Sequence, residues 1–166
     1  MKKILLIHNI ITPTRTLLFN KLYEHFFDLW YELKIIFTSE SESNRKRSTN
    51  EEIKKFKFPY IILKSNQLKV WKKDKFYYHF NWNLSSILNK ENPEIIIHDW
   101  WSWFSVFQSL YRCKKNKKEF YLWSWSTEYE KSWRRTLTKP IVKFIVKHSD
   151  GYRSYWTRAS EYLISL

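Results

Sequence analysis

Apolar residues in this chain follow two rhythms. Unbroken runs of about four to six alternate with longer stretches in which apolar positions return every third or fourth residue. Parallel strands buried on both faces read as the first kind and crossover helices as the second, so the pattern is that of βαβ units around a sheet. The runs predict strands at Ile4–His8, Leu33–Thr38, Pro59–Leu63, Glu94–His98, Phe120–Trp123 and Gly151–Tyr155. Pro59 and Pro93 fall at or just before strand starts, where a missing N–H is tolerated.

Between the strands, Thr12-Pro13 has the form of an N-cap followed by proline at the first helical position, and Leu18, Leu22, Phe26 and Leu29 predict a core-facing stripe. Ser102 is placed to cap another helix, with Trp103, Phe104, Phe107, Leu110 and Tyr111 as its apolar face and Arg112 to Asn116 as its end. Further helices are predicted at Asn83–Asn89 and Leu137–Lys147, where Pro140 belongs in a first turn rather than an interior. Glu40–Lys57 lacks apolar periodicity and reads as a solvated loop. The predicted fold is α/β, a Rossmann-like parallel sheet with helices on both faces, formed as one domain over 1–166.

Charge narrows the partners. Lys plus Arg total 30 against 16 Asp plus Glu, a net charge of +14, which favours phosphate-rich partners: nucleic acid, anionic lipid or a pyrophosphate-linked substrate. The single Cys113 rules out an internal disulfide framework and gives no metal-ligand cluster, so no metal is expected. The single glycine, Gly151, rules out a dinucleotide fingerprint or a P-loop, which need several glycines at fixed spacing, and no cofactor is expected. The apolar run after Lys2-Lys3 is interrupted by His8 and Asn9 with no cleavage site following, so the expected location is cytoplasmic, with membrane contact peripheral at most.

The opening strand with Ile11-Thr12-Pro13-Thr14-Arg15-Thr16-Leu17-Leu18 resembles the first strand, turn and helix of family 4 glycosyltransferases of the two-domain GT-B fold. Asn92-Pro93-Glu94-Ile95-Ile96-Ile97-His98-Asp99-Trp100 is similar to that family's fourth strand with its polar tip, and Ser149 to Leu163 is similar to the segment closing its N-terminal domain. The resemblance implies an acceptor-binding half of an enzyme that transfers sugar from a nucleotide-sugar donor, in cell-surface glycan or glycolipid synthesis. It also implies that the donor-binding C-terminal half is absent from these residues, so that this half alone turns over little or no sugar. The first loop has no glycine, Ser124-Trp125-Ser126 stands where many relatives have a histidine, and Trp156 stands where glycine is common.

Ligands of open α/β sheets bind beyond the carboxyl ends of the strands, which singles out three loops. Thr12, Thr14 and Arg15 follow the first strand; Asp99, Trp100 and Trp101 follow the fourth; Ser126, Thr127 and Glu128 follow the fifth. Sugar transfer needs a base near the acceptor hydroxyl and cationic help for the departing diphosphate. Asp99 is a candidate base or a cap for the next helix; Glu128 is the rival base or a carboxylate paired with Lys131. Arg15 is either an acceptor-phosphate ligand or a surface charge, and the tryptophans are either sugar platforms or core. His8 and His98 read as hydrogen-bonded core histidines.

Arg135, Lys139, Lys143 and Lys147 recur every fourth residue, a basic stripe opposite Ile141, Phe144 and Ile145 that suits an anionic membrane surface bearing a lipid-linked acceptor. The alternative is a non-catalytic binding module for membrane or for nucleic acid. Basic and aromatic residues interleave in Lys72 to Tyr78, but no nucleic-acid module fits.

Overall fold

Why the apolar runs are unbroken is plain from the sheet they form. A computed structural model describes residues 1–40, 49–64, 66–69, 77–99, 103–124, 133–154 and 157–164. Strands β1 (Lys2–His8), β2 (Tyr31–Phe37), β3 (Tyr60–Ile62), β6 (Ile95–Asp99), β7 (Glu119–Ser124) and β8 (Gly151–Ser154) pair in parallel in the order β3-β2-β1-β6-β7-β8. Helices α1 (Pro13–Asp28), α3 (Leu84–Glu91), α4 (Trp103–Lys115) and α5 (Trp133–His148) connect them, with a short α2 (Thr49–Ile53) and a terminal α6 (Thr157–Ile164). This is the α/β, Rossmann-like arrangement that the alternation predicts.

Strands β1, β2, β3, β6 and β7 each feed two cores. Ile4, Leu6, Leu33, Ile35 and Phe37 point toward α1 and its buried Phe19. Leu5, Ile7, Ile36, Ile96, Phe120 and Leu122 point the other way, onto Leu84 and Leu88 of α3, Val106 and Leu110 of α4 and Ile145 of α5. Each such side chain contributes roughly 1.5–3 kcal/mol on leaving water. Gly151 is needed at the start of β8 because a Cβ there would lie 2.9 Å from the Tyr121 ring on β7. With no other glycine in the chain, the left-handed positions that end helices fall to Trp30 (φ 61°), Asn92 (φ 42°) and Lys117 (φ 53°).

Several expectations need correction. Within Glu40–Lys57 the described residues include α2, and Asn20 of α1 pins the segment after it by donating to the Lys55 carbonyl at 3.0 Å and accepting from the Lys57 N–H at 2.9 Å. An antiparallel hairpin, β4 (Asn66–Lys69) with β5 (Tyr77–Phe80), lies outside the main sheet and was not predicted. On α1, Leu18, Leu22 and Phe26 pack half-buried against the core as expected, but Leu29 is the exposed C-cap, and Thr16 and Phe19 are the fully buried positions. Thr12 is the N-cap by position, but its hydroxyl makes no capping bond; its carbonyl accepts from Thr16 N at 2.9 Å instead. Helix α5 starts before Leu137, so Pro140 lies inside it. On α4 the inward face is Ser105, Val106, Ser109, Leu110 and Cys113, while Phe107 and Tyr111 are exposed. Ser102 lies outside the described residues.

Candidate functional site

Strand order reverses between β1 and β6. From β1 the chain proceeds outward through β2 and β3 on one side and then through β6, β7 and β8 on the other. The carboxyl edge at such a switch point is left open by connections that diverge to either side, which makes it the usual ligand crevice of these sheets.

Parallel register lines up one row of residues across this edge on the α1 side of the sheet. Phe37 of β2 is opposite His8 of β1, and Asp99 of β6 is opposite Trp123 of β7. Since Ile7 pairs with His98, the next step brings His8 beside Asp99. Their side chains meet: His8 Nδ1 lies 2.6 Å from Asp99 Oδ2, both residues being more than nine-tenths buried. The contact is at ion-pair distance without regular hydrogen-bond geometry, and among the described residues no other group hydrogen-bonds to Oδ2. The His8 ring is fixed edge-on to Phe19, 5.3 Å between centroids, and to Phe37 at 6.4 Å. A carboxylate beside Nδ1 favours the tautomer with the proton there and leaves Nε2 as the basic nitrogen.

The glycine-free first loop is held by hydrogen bonds to the tip of β2. The His8 carbonyl accepts from Thr38 N at 2.8 Å, and the Asn9 carbonyl accepts from Ser39 N at 2.9 Å and the Thr38 hydroxyl at 3.1 Å. Beyond the loop, Thr12 and Thr14 bring their hydroxyls within 3.4 Å of each other. The Arg15 guanidinium lies 5.8 Å from the Trp123 ring centroid, so the first turn of α1 reaches over to β7.

His98 belongs to the opposite face and does different work. It is 1% exposed, with Nδ1 against the Asp99 carbonyl at 2.5 Å and Nε2 3.0 Å from the Ser105 hydroxyl. A carbonyl can only accept, so Nδ1 carries the proton and Nε2 accepts from Ser105. Burial, opposed by the Asp99 carbonyl and carboxylate and assisted by the neighbouring His8, brings its pKa down to about 4. His98 is thus a neutral bridge between the tip of β6 and the first turns of α4.

Of the residues picked from sequence, the structure brings Asp99 and Arg15 to one edge, with Thr12 and Thr14 at its rim. Trp100, Trp101, Ser126, Thr127 and Glu128 lie outside the described residues. Lys139, Lys143 and Lys147 are exposed on α5, far along the chain from this row, and Arg135 shares their helix. Asp99 meets His8 across the strands and makes no bond to the described part of α4, so the capping role is not seen there. His8 as its partner and Trp123 were missed. The signal was the strand-end position of both, which gains meaning only with the register. Among the described residues there is no cluster of His, Cys, Asp and Glu fit to hold a metal.

No protein-family model matches the chain, and no curated protein matches it. Solved structures do. The UDP co-structure of MnaA from S. aureus aligns with 99% of this chain and 42% of its own at 12% identity, TM-score 0.62. A UDP-N-acetylglucosamine 2-epimerase from Rickettsia bellii aligns over 99% and 42% at 16% identity, TM-score 0.56. Another UDP-N-acetylglucosamine 2-epimerase aligns over 99% and 45% at 7% identity, TM-score 0.60. Identities this low speak to fold, and the chain spans less than half the length of each structure. The chain therefore has the fold of one Rossmann-like half of the GT-B architecture.

Proposed function

We propose that this chain is the acceptor-side half of a glycosyltransferase, acting with a second, donor-binding Rossmann domain on the same or another polypeptide. The observation that carries the reading is the buried His8–Asp99 pair at the switch point. The UDP held by the S. aureus structure supports a UDP-type donor for the whole assembly.

In this reading His8 Nε2 takes the proton of the acceptor hydroxyl as its oxygen bonds to the anomeric carbon and the carbon–oxygen bond to the diphosphate breaks. Asp99 holds the imidazole and offsets the positive charge it gains, so Asp99 is a positioning residue rather than the base first considered. Trp123 and Arg15 border the acceptor, and the hydroxyls of Thr12 and Thr14 bind its polar groups. Trp100, Trp101, Ser126 and Thr127 are retained as acceptor contacts and Glu128 as the rival base. The acceptor is a glycan or a lipid-linked sugar, met on the cytoplasmic face of the membrane. Among the described residues no helix is long and apolar enough to cross a bilayer.

Saturation-transfer NMR with a panel of oligosaccharides and short-chain prenyl-diphosphate sugars tests the assignment. An acceptor-type ligand should bind the chain, His8→Ala and Asp99→Asn should each weaken it by about 10-fold, and UDP-N-acetylglucosamine should bind poorly. Tight binding of the nucleotide sugar alone, indifferent to both substitutions, would refute the acceptor assignment. Binding without transfer once a donor half is supplied would leave a non-catalytic module.

A further inference from the structure

Helices α4 and α5 present to solvent a surface that packing against the sheet does not account for. Helix α4 turns its small residues inward and leaves Phe107 37% and Tyr111 69% exposed. Helix α5 buries Val142 and Ile145 but leaves Ile141 38% and Phe144 48% exposed. The Phe107 and Phe144 rings lie 6.2 Å apart between centroids, so the two helices share one continuous apolar ridge. Lys139, Lys143 and Lys147 are all exposed along the adjoining flank of α5. Neither helix contains an Asp or a Glu. Among the described residues, no carboxylate lies within ion-pair distance of any of these three lysines.

We propose that the α4–α5 ridge is a docking surface for an anionic lipid bilayer, with Phe107, Tyr111, Ile141 and Phe144 entering the headgroup boundary and the lysine row meeting lipid phosphates. A bilayer supplies both halves of the match at once, apolar chains directly beneath a layer of negative charge. A protein partner would need an acidic row set beside an apolar groove. Single-stranded nucleic acid would need open ring faces for stacking, whereas Phe107 and Phe144 pack on each other, Phe144 stacks on His148 at 4.1 Å, and Ile141 has no ring. The lysine spacing alone suggested a basic stripe facing away from the apolar positions. The structure instead sets lysines and exposed apolar side chains side by side, which is what a membrane-surface helix pair requires. This surface does not rest on the transferase reading.

The test uses the full chain with two vesicle populations, phosphatidylcholine alone and phosphatidylcholine with an equal part of phosphatidylglycerol. Cys113 is buried with its thiol pushed up to about 12, so an introduced surface cysteine takes a polarity-sensitive label selectively. A label at Tyr111→Cys should shift to the blue on anionic vesicles and not on neutral ones. A label at Leu17→Cys, on the exposed side of α1 beyond the other face of the sheet, should not shift on either. Replacing Lys139, Lys143 and Lys147 together with Gln should lower anionic-vesicle partitioning at low salt by on the order of 100-fold. These lysines are exposed, and unchanged circular dichroism verifies that the variant folds. Equal sedimentation with both vesicles, a shift at both labels or at neither, or undiminished partitioning of the triple variant overturns the proposal. So does retention of single-stranded RNA that falls with Phe144→Ser while vesicle binding does not.

Discussion

Replacing His98 tests whether the tip of β6 is tied to α4 by a neutral histidine. In the unfolded chain this imidazole titrates near its ordinary value of 6.5; in the folded protein it does so at about 4, because burial disfavours the imidazolium. Between these values the unfolded chain binds a proton that the folded protein refuses. Stability therefore falls as pH drops through that window, by about 1.4 kcal/mol per unit and about 3 kcal/mol in all. His98→Gln abolishes the titration and removes the His98–Ser105 hydrogen bond, at a cost of about 1 kcal/mol at neutral pH. The assay is urea unfolding followed by tryptophan fluorescence for both proteins at pH 7, 6 and 5. The wild type is expected to be the more stable at pH 7, and the gap should narrow by about 1 kcal/mol or more on reaching pH 5. Every other ionisable group is common to the two proteins, so its contribution largely cancels in the comparison. Parallel curves across the window would mean that His98 is not held neutral, and the inferred direction of its bond with Ser105 would fall with it.

Other substitutions probe separate parts of the same framework. Phe19→Ala empties the fully buried centre around which the His8, Phe37, Phe58 and Trp123 rings meet, and should cost about 3–5 kcal/mol in urea midpoint analysis. Asp150 accepts from Phe120 N at 2.8 Å and Lys114 Nζ at 2.7 Å. Burial pushes its carboxyl upward, but these two donors outweigh it and hold the pKa below the ordinary value. Asp150→Asn should therefore cost about 1 kcal/mol at neutral pH, a gap that persists above the ordinary carboxyl range and closes as acid protonates the wild-type group. Ser109→Ala removes a fully buried hydroxyl that has no hydrogen-bond partner among the described residues, so thermal melting should show a neutral or stabilising change of up to about 1 kcal/mol. Trp30→Gly relieves a left-handed backbone at a position 79% exposed and should stabilise by about 1 kcal/mol, with a destabilised variant showing that the ring makes contacts worth more than the strain.

The strands were legible because burial on both faces leaves little freedom of composition; Ile4 to Ile7 and Ile95 to Ile97 could hardly be anything else. Helix faces were less legible, since a three-four rhythm gives the period without saying which side meets the sheet. On α4 the large aromatic residues looked like the core, yet Ser105, Ser109 and Cys113 recur at the same spacing and face inward. The β4–β5 hairpin was invisible because Asn66–Lys69 is short, mostly polar and outside the main sheet. Asp99 stood out as a carboxylate ending an apolar strand, but its partner did not. His8 lies ninety-one positions away by subtraction of the two residue numbers, and nothing local to either residue encodes a parallel register.

Helix α4 connects the two surfaces proposed here. Its early Ser105 is joined through His98 to the backbone of Asp99, and its outer flank carries Phe107 and Tyr111. Thirteen residues of helix span about 20 Å, so a bilayer touching that flank lies within one helix length of the switch-point edge. The inward serines serve the same geometry: small residues let the helix axis approach the sheet closely, and the aromatic bulk they exclude from the core becomes the ridge. Replacing Ser105 by a large apolar residue should therefore disturb both surfaces together, moving α4 outward while breaking the bond that steadies the Asp99 strand tip. A variant that lost only one of the two would show that the surfaces are independent.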